Sequence, residues 1–373
     1  MNVPKLRFKE FTNEWSYDSL NNFIERIMRK NKNNESNLVL TISAQYGLVD
    51  QCKFFNRNVS SSNLTGYYLL YKGDFAYNKS YSKGYPWGAI KRLNRYETGV
   101  VSSLYICFSC KNNINQKFLE QYFETNKWHQ QISEISVEGA RNHGLLNISI
   151  DDFFNTKHFF PNLLEQNKIA NFLTLLDKKI ELQSQKIEAL KLYKLCILKY
   201  IFSSATIKTK LKSIGNIKKG EQINSEELSK SGSYYMLNGG TEPSGYLEKY
   251  NTLENTITIS EGGNSCGYVK YNKCKFWCGG HCYSIENKMI DNHYLYQLLK
   301  FNENKIMRLR IGSGLPNIQK KDLENFELSI HEKNDQHKIA KLLIKFDTKI
   351  ELEQDLLNLL LNLKKGLMQN MFV

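Results

Sequence analysis

The chain has 373 residues, 41% of them hydrophobic and 12% aromatic, a composition that excludes a disordered chain and favours two or three folded domains. Lysine and arginine number 51 against 37 acidic residues, and the net charge of +14 suits a polyanionic partner such as nucleic acid. No apolar stretch follows the charged N-terminal residues or reaches about 18 residues elsewhere, so neither a signal peptide nor a membrane span is predicted. The eight cysteines then indicate reduced thiols in a cytoplasmic protein.

The first part of the chain, residues 1–162, is predicted to be a mixed α/β domain. Aromatic and β-branched runs between glycine and serine clusters predict strands at 74–78, 87–90 and 100–108, and a helix is predicted at 118–132. Near the first two strands, aromatic side chains alternate with cations on loops, a composition that suits contacts to phosphates and base edges. An ordinary solvated surface is the alternative for each single residue. The candidate DNA contacts here are Asn78, Lys79, Tyr81, Lys83, Tyr85, Lys91, Arg92 and Arg95.

Residues 163–205 form the first copy of an internal repeat. Ten of the seventeen residues at 166–182 recur 170 positions later, at 336–352. The same offset relates the Gly-Leu-x-Asn-Ile elements that precede the two tails, at 144–148 and 314–318. The chain therefore consists of two half-proteins in tandem, each with a variable globular part followed by a repeated tail.

Each tail is predicted to be a long helix, because its apolar residues alternate steps of four and three residues. About 38 residues would reach about 57 Å as an unbroken helix. Two alternatives remain at this point: a break near Asp177 and Asp347, and packing of each helix on its own globular half. Two seams of identical phase favour mutual pairing, with the polar residues Gln183 and Glu353 at matched positions. The predicted seam consists of Ile169, Leu173, Leu176, Ile180, Ile187 and Leu190 in the first copy, and Ile339, Leu343, Phe346, Ile350, Leu357 and Leu360 in the second.

The second variable part, residues 206–332, is predicted to be another mixed α/β domain. Strands are predicted at 255–260, 267–271 and 276–285, and a helix at 292–301. The two variable parts differ strongly in sequence, which predicts that they read different DNA sequences. The candidate DNA contacts here are Glu261, Asn264, Ser265, Lys270, Lys273, Lys275, Arg308 and Arg310. The second tail completes the predicted division at residues 333–373.

Catalytic motifs are absent from the sequence. None of the five prolines follows Asn or Pro, which excludes an Asn-Pro-Pro-aromatic methyltransferase motif, and neither a phosphate-binding loop nor a Gly-x-Ser-x-Gly elbow occurs. Cys274, Cys278 and Cys282 beside His281 are the best metal candidate, but structural zinc usually has closer cysteine pairs. Small residues on a strand explain these cysteines at least as well, so no metal is predicted.

The tails resemble the conserved regions of type I restriction–modification specificity subunits. The residues that carry the resemblance are the Gln-x-x-Ile-Ala elements at 166–170 and 336–340, each followed by Leu173 with Asp177, or Leu343 with Asp347. The opening Pro-Lys-Leu-Arg-Phe at 4–8 and the Gly-Leu-x-Asn-Ile elements resemble the family as well. One departure is Leu146 in place of the proline found at Pro316, which leaves the local turn in doubt.

This resemblance implies a definite α+β architecture. Two mixed α/β target-recognition domains would be separated by an antiparallel coiled coil of two long helices, with the pseudo-twofold symmetry of a tandem repeat. Each domain would read one half of a split double-stranded DNA site. Modification subunits would dock on the helices and methylate adenine with S-adenosylmethionine, and a restriction subunit would use ATP and Mg to translocate and cleave DNA. No cofactor would belong to this chain, and no membrane would be involved.

The sequence therefore predicts a non-catalytic DNA-specificity subunit in which the helices set the distance between two readers. Two alternatives stay open. One is an enzyme that depends on a metal at the Cys274–Cys282 cluster. The other is a coiled-coil adaptor that binds proteins but no DNA, with the positive charge serving solubility.

Overall fold

A computed structural model describes residues 2–56, 63–82, 84–136, 146–287, 289–312, 314 and 316–373. The candidate residue Lys83 and the repeat residues Gly144, Leu145 and Leu315 lie outside these ranges. The chain forms two compact units: the first comprises Met1–Leu182 and Leu357–Val373, and the second comprises Gln183–Leu356. Within the described ranges, no helix combines the length and apolar character that a membrane span requires.

The first unit is built on a four-stranded antiparallel sheet with the order β2-β9-β6-β7. Smaller antiparallel pairs, β1 with β10, β3 with β4 and β5 with β8, complete its strands. The strands are β1 Ser16–Ser19, β2 Ile24–Arg26, β3 Leu40–Ser43, β4 Gly47–Asp50, β5 Tyr68–Tyr71, β6 Phe75–Asn78, β7 Ala89–Arg92, β8 Thr98–Val101, β9 Ile106–Cys110 and β10 Lys157–Phe160. The helices are α1 Gln51–Phe55, α2 Gln116–Phe123, α3 His129–Ile135, α4 Ile150–Asn155 and the long α5 Leu163–Ser203, with a 3-10 turn at Leu20–Asn22.

The main sheet of the second unit repeats the strand order of the main sheet of the first unit, despite a different sequence. Its main sheet has the order β12-β18-β15-β16. In both main sheets the strand that comes first in the chain pairs with the strand that comes last, and that last strand pairs with one strand of the hairpin that lies between them in the sequence. Its strands are β11 Ile207–Lys210, β12 Gly215–Lys219, β13 Tyr234–Leu237, β14 Gly245–Leu247, β15 Thr256–Ser260, β16 Val269–Asn272, β17 Trp277–Cys278, β18 Cys282–Asn287 and β19 Glu327–Ile330. Its helices are α6 Leu211–Ile214, α7 Asn292–Phe301, α8 Glu303–Met307, α9 Lys320–Glu324 and the long α10 Lys333–Asn370, with a 3-10 turn at Ser225–Glu227.

Three predicted elements are each interrupted, two by hydrogen bonds from side chains and one by a close contact at a glycine. The strand predicted at 100–108 is two strands, because the Ser102 hydroxyl accepts the Leu104 amide in a turn. The helix predicted at 118–132 is two helices, because Thr125 and Trp128 bond the backbone carbonyls of Tyr122 and Phe123 at the end of α2. The strand predicted at 276–285 is divided at Gly279, where a β-carbon would lie 2.6 Å from Asn238 Oδ1. The predicted α7, at 292–301, is confirmed.

The two long helices are unbroken, so the break considered near Asp177 and Asp347 does not occur. The repeated glutamine begins each helix in the same way. Gln166 Nε2 donates to the Pro161 carbonyl at 2.9 Å, and Gln336 Nε2 donates to the His331 carbonyl at 2.8 Å. Each glutamine thereby satisfies an acceptor just before the first turn, which explains why this residue type recurs at the helix start.

Each globular core is completed by both long helices. In the first unit the start of α5 supplies Ile169, Ala170 and Leu173, the end of α10 supplies Met368, and the residues after it supply Met371 and Phe372. In the second unit the start of α10 supplies Ala340 and Leu343, and the end of α5 supplies Leu198 and Phe202. The end of one helix therefore lies beside the start of the other within each unit, which is an antiparallel arrangement. The alternative in which each helix packs only on its own half is wrong.

The long helices pack together along the predicted seam, and the predicted α+β fold class is confirmed. Every predicted seam residue is buried or half-buried, whereas the positions between them are mostly exposed. The four-part division of the chain stays a prediction, because the two compact units each contain parts of both helices.

A polar pair interrupts the seam at the repeat-equivalent residues Gln183 and Glu353. Gln183 Nε2 donates to the Glu353 carboxylate at 2.7 Å and to the Glu353 backbone carbonyl at 2.9 Å. Lys186 and Lys349 each pair with the same carboxylate at 2.8 Å. Hydrogen bonds from these lysines and from Gln183 lower the pKa of Glu353 to about 2, so the carboxylate stays charged down to strongly acidic pH. Such a pair fixes one register, since any shift would leave the carboxylate without these partners.

Candidate nucleic-acid interface

Strand β7 places two of the candidate cations of the first unit against α2. Lys91 is buried and pairs with Glu124 at 2.5 Å, and Arg92 lies 3.2 Å from Glu120 while it also donates to Asn94. Burial raises the pKa of Glu120, and the neighbouring Arg92 opposes that rise. The positive charges of Lys91 and Arg92 are therefore paired with acidic side chains of the same domain.

The loop after β6 places the other candidates of this unit in different surroundings. Lys79 Nζ donates to the Ile148 carbonyl at 2.9 Å, and burial lowers the pKa of this ammonium. Asn78 accepts the Ser80 amide, and the Tyr85 hydroxyl faces the Ala44 carbonyl at 3.4 Å. Tyr81 is the open member of the group, with 62% of its surface exposed.

Four of these candidates line one cleft of the first unit, which we call the first cleft. Its volume is about 820 Å³. Its walls come from the β3–β4 hairpin, β7, α2, Asp177 of α5 and the last turns of α10. Among the described residues that line it, Arg95 and Lys365 are exposed cations without a hydrogen bond or ion pair to the protein. The candidates that line it are Tyr85, Lys91, Arg92 and Arg95.

Sequence reasoning missed the contribution of α10 to this cleft. Lys364 and Lys365 both line it, although the sequence analysis assigned no DNA contact to this helix. The first tail has Lys194-Leu195 at the equivalent positions, so a second lysine is specific to the second tail. That difference between the two copies was the available signal.

In the second unit Glu261 holds several side chains rather than standing free. It accepts from Lys219 at 2.7 Å and from the Tyr283 hydroxyl at 3.1 Å, and His281 Nδ1 lies 3.8 Å away. Burial, and secondarily Glu261, raises the pKa of Tyr283. Ser265 donates to the Gly239 carbonyl at 2.6 Å, whereas Asn264 is exposed.

Ser265 and His281 line a smaller cleft of about 430 Å³, which we call the second cleft; Glu261 and Asn264 are not among its lining residues. Two glycine pairs line it, Gly239-Gly240 and Gly262-Gly263. Gly239 and Gly263 have φ values of +83° and +74°, a conformation that favours glycine. Because these positions carry no side chains, a ligand could approach the backbone closely here. The remaining lining residues are Asn238, Ser265, His281, Pro316 and Asn317.

The lysines proposed for the second unit mostly have partners within it. Lys270 donates to the Thr241 carbonyl at 3.2 Å, and Lys275 lies 3.4 Å from the Tyr250 hydroxyl. Lys273 pairs at 2.7 Å with Glu351 of α10, so it ties the domain to the helix. Arg308 and Arg310 are exposed and make no ion pair with any described residue.

The cysteine cluster has the environment of a strand interior. Cys278 and Cys282 are buried, and Cys274 is exposed. The Cys278 thiol donates to the Cys282 carbonyl at 3.7 Å, and its interaction with the Cys282 thiol, together with burial, raises the pKa of Cys278. Within the ranges that the structure describes, no three His, Cys, Asp or Glu side chains are grouped as metal ligands.

Comparison with known proteins gives a consistent class. Residues 207–362 match the family model described as the type I restriction modification DNA specificity domain. A candidate type I specificity subunit of Mycoplasma genitalium is 36% identical over 148 residues, which cover 39% of this chain and 38% of that protein. The specificity subunit of the type I restriction enzyme MjaVIII of Methanocaldococcus jannaschii is 31% identical over 121 residues, 32% of this chain and 28% of that protein. The match thus spans well under half the length of these relatives.

Two solved structures share the fold along the whole chain. The type I restriction–modification S subunit of M. genitalium superposes with a TM-score of 0.65 at 20% identity, covering 100% of this chain and 99% of that chain. A chain from a study of assembly and conformational transition of the type I R-M system gives a TM-score of 0.58 at 14% identity, covering 98% and 99%. At these identities the likeness shows the fold. The chain therefore shares the fold of these two structures, and its residues 207–362 match the type I restriction modification DNA specificity domain.

Proposed function

We propose that this chain is the non-catalytic subunit that recognises a bipartite double-stranded DNA site for a type I restriction–modification complex. The observation that carries the proposal is the shared sheet order of the two units. The second unit contains nearly all of the segment that matches the DNA specificity domain, and the main sheet of the first unit has the same strand order although the variable part of its sequence differs strongly. Two domains with the same main-sheet order and different surface residues suit a DNA site whose two halves differ in sequence.

The paired helices would set the gap between the half-sites. Their length and their single register, fixed by Gln183 and Glu353, support a role as a ruler. Phosphate contacts would give affinity, and contacts to base edges and the local DNA shape would give specificity.

The exposed apolar residues of the long helices support docking of partner proteins. In the first unit Leu164, Leu175 and Leu182 are spaced by three and two turns, so they share one face of α5. In the second unit Leu352, the repeat equivalent of Leu182, is exposed on α10 together with Leu356. We assign these faces to modification subunits, which would supply S-adenosylmethionine-dependent methylation, with a restriction subunit supplying ATP and Mg chemistry.

Methylation mapping tests the function. Adenine methylation is mapped genome-wide in cells with the modification subunits, with and without this chain. We expect one bipartite motif to be methylated only when the chain is present. Unchanged methylation in its absence would refute DNA specificity and would favour the protein-binding adaptor, whereas turnover by the purified chain alone would favour the enzyme.

The free cations of the first cleft give a sharper prediction for DNA contact. Replacing Arg95 and Lys365 together with alanine should weaken binding by the assembled complex about equally on all DNA sequences. The slope of log K against log salt should fall in magnitude by about two, because two phosphate contacts are lost. Salt-dependent binding measurements check this result.

A control double variant removes two positive charges at residues outside the cleft. Lys32 and Lys117 are exposed and do not line the first cleft, so their double alanine variant should keep the wild-type salt slope. An equal loss in both double variants would show that only net charge matters. The other candidate contacts of both units, including Lys83, Tyr81, Asn264, Arg308 and Arg310, stay predictions.

A further inference from the structure

A three-residue network joins the reader of the first unit to both long helices. Gln121 lies on α2, next to the core of the recognition domain, and its Nε2 donates to Asp177 Oδ2 of α5 at 2.7 Å. The other oxygen of Asp177 accepts from Lys364 of α10 at 2.5 Å. One carboxylate thus connects the domain, the start of one helix and the end of the other.

The second unit contains the same network. Gln297 of α7 donates to Asp347 Oδ2 of α10 at 2.5 Å, and Asp347 Oδ1 accepts from Lys194 of α5 at 2.5 Å. Asp347 and Lys194 are the repeat equivalents of Asp177 and Lys364, at the offset of 170. The two glutamines are 176 positions apart, so they come from the variable parts and not from the repeated tails.

The glutamines are held in an unusual way for buried side chains. Gln121 is 6% exposed and Gln297 is 1% exposed. In both residues the Oε1 atom is buried without a donor among the described residues. A buried carbonyl without a donor opposes folding, so packing alone does not explain why the same arrangement occurs twice. The shared element is the donation from Nε2 to the aspartate.

We propose that Gln121 and Gln297 are positioning residues that fix the orientation of each recognition domain on its helix ends and thereby restrict the gap length of the DNA site. The proposal rests on the proposed function. Without the amide, the aspartate loses its hydrogen bond to α2 or α7, which weakens the restraint on the angle between the domain and the helix ends. Adjacent base pairs are separated by about 3.4 Å along the duplex, so a small change in orientation reaches a neighbouring gap length.

The test measures gap length and not affinity alone. The chain is produced with its modification subunits, and adenine methylation is mapped for the wild type, Gln121→Leu and Gln297→Leu. We expect the variants to methylate sites with gaps one base pair longer or shorter at least tenfold more than the wild type does, with unchanged half-site bases. Gln130→Leu, at an exposed glutamine of α3, should keep the wild-type gap.

Two outcomes overturn different statements. A single wild-type gap in both leucine variants overturns the positioning role, whereas a wild type that methylates no bipartite motif overturns the proposed function. If the leucine variants do not assemble, Lys364→Met and Lys194→Met decide, because these lysine side chains are 21% and 15% exposed and their loss removes the other partner of the same aspartates. Relaxed gaps in these methionine variants, and the wild-type gap in Lys364→Arg, support the proposal; an unrelaxed gap in the methionine variants refutes it.

Discussion

Replacement of Phe372 with alanine is expected to destabilise the first unit by about 3–5 kcal/mol. Phe372 is 1% exposed. The centroid of its ring lies 5.5 Å from that of Phe118, 5.9 Å from that of Tyr122 and 6.5 Å from that of Trp15. It follows α10, yet it fills the core of the domain formed by the start of the chain, so its loss leaves a cavity among aromatic rings. Urea unfolding followed by tryptophan fluorescence measures the change. Three of the four tryptophans, Trp15, Trp87 and Trp128, lie in the first unit.

Two further variants serve as controls for this measurement. Phe202→Ala makes the equivalent cavity in the second unit, where Phe202 packs against Tyr294 and Phe301, and should leave the first-unit transition largely unchanged. Phe54→Ala removes a ring that is 45% exposed and should change stability by less than about 0.5 kcal/mol. A loss below about 1 kcal/mol for Phe372→Ala would show that the end of α10 does not complete the first core.

The second large effect is expected at Arg7. Its guanidinium donates two hydrogen bonds of 2.8 Å to Glu165, which is fully buried at the start of α5 and also accepts from Trp15 Nε1 at 3.3 Å. The hydrogen bond to Glu165 raises the pKa of Arg7, so the arginine stays charged. Arg7→Ala leaves this carboxylate buried without its cation and should cost about 3–5 kcal/mol in urea unfolding.

A neighbouring ion pair provides the control. Lys168 pairs with Glu10 between the same two segments, but both side chains are 48% exposed, so Lys168→Ala should cost less than about 1 kcal/mol. The double variant Arg7→Met with Glu165→Gln keeps an acceptor for Trp15 and removes both charges, and should approach wild-type stability. Equal losses for Arg7→Ala and Lys168→Ala would contradict the assignment of Arg7–Glu165 as the stronger tie.

The sequence predicted the parts of the fold that depend on periodicity and repetition. The seam residues, the long helices and their mutual pairing follow from one pattern of apolar spacing that occurs twice, whereas the antiparallel direction was implied only by the family resemblance. The interruptions at Thr125 and Gly279 were missed because they arise from single side-chain bonds and close backbone contacts, which apolar spacing does not reveal. The shared sheet order was missed because the two units reach it with different residues.

The surroundings of the candidate contacts could not be predicted, because charge in a sequence does not show whether a partner is present. Lys91 and Arg92 looked like a basic cluster, yet α2 supplies Glu124 and Glu120 to them from about thirty residues away. Gln121 and Gln297 were not noticed, although each follows an aromatic residue and leucine in the same short pattern, at 118–121 and 294–297. The roles of these residues depend on tertiary neighbours that are distant in sequence.

The exchange of helix ends between the cores has a consequence for synthesis on the ribosome. Met368, Met371 and Phe372 are translated after the entire second unit, yet they belong to the core of the first. While residues 183–356 emerge, the N-terminal domain has an open apolar site beside Trp15 and Phe118 that is filled only when residues 357–373 have been made. The domain that is made first is therefore the one whose packing is completed last.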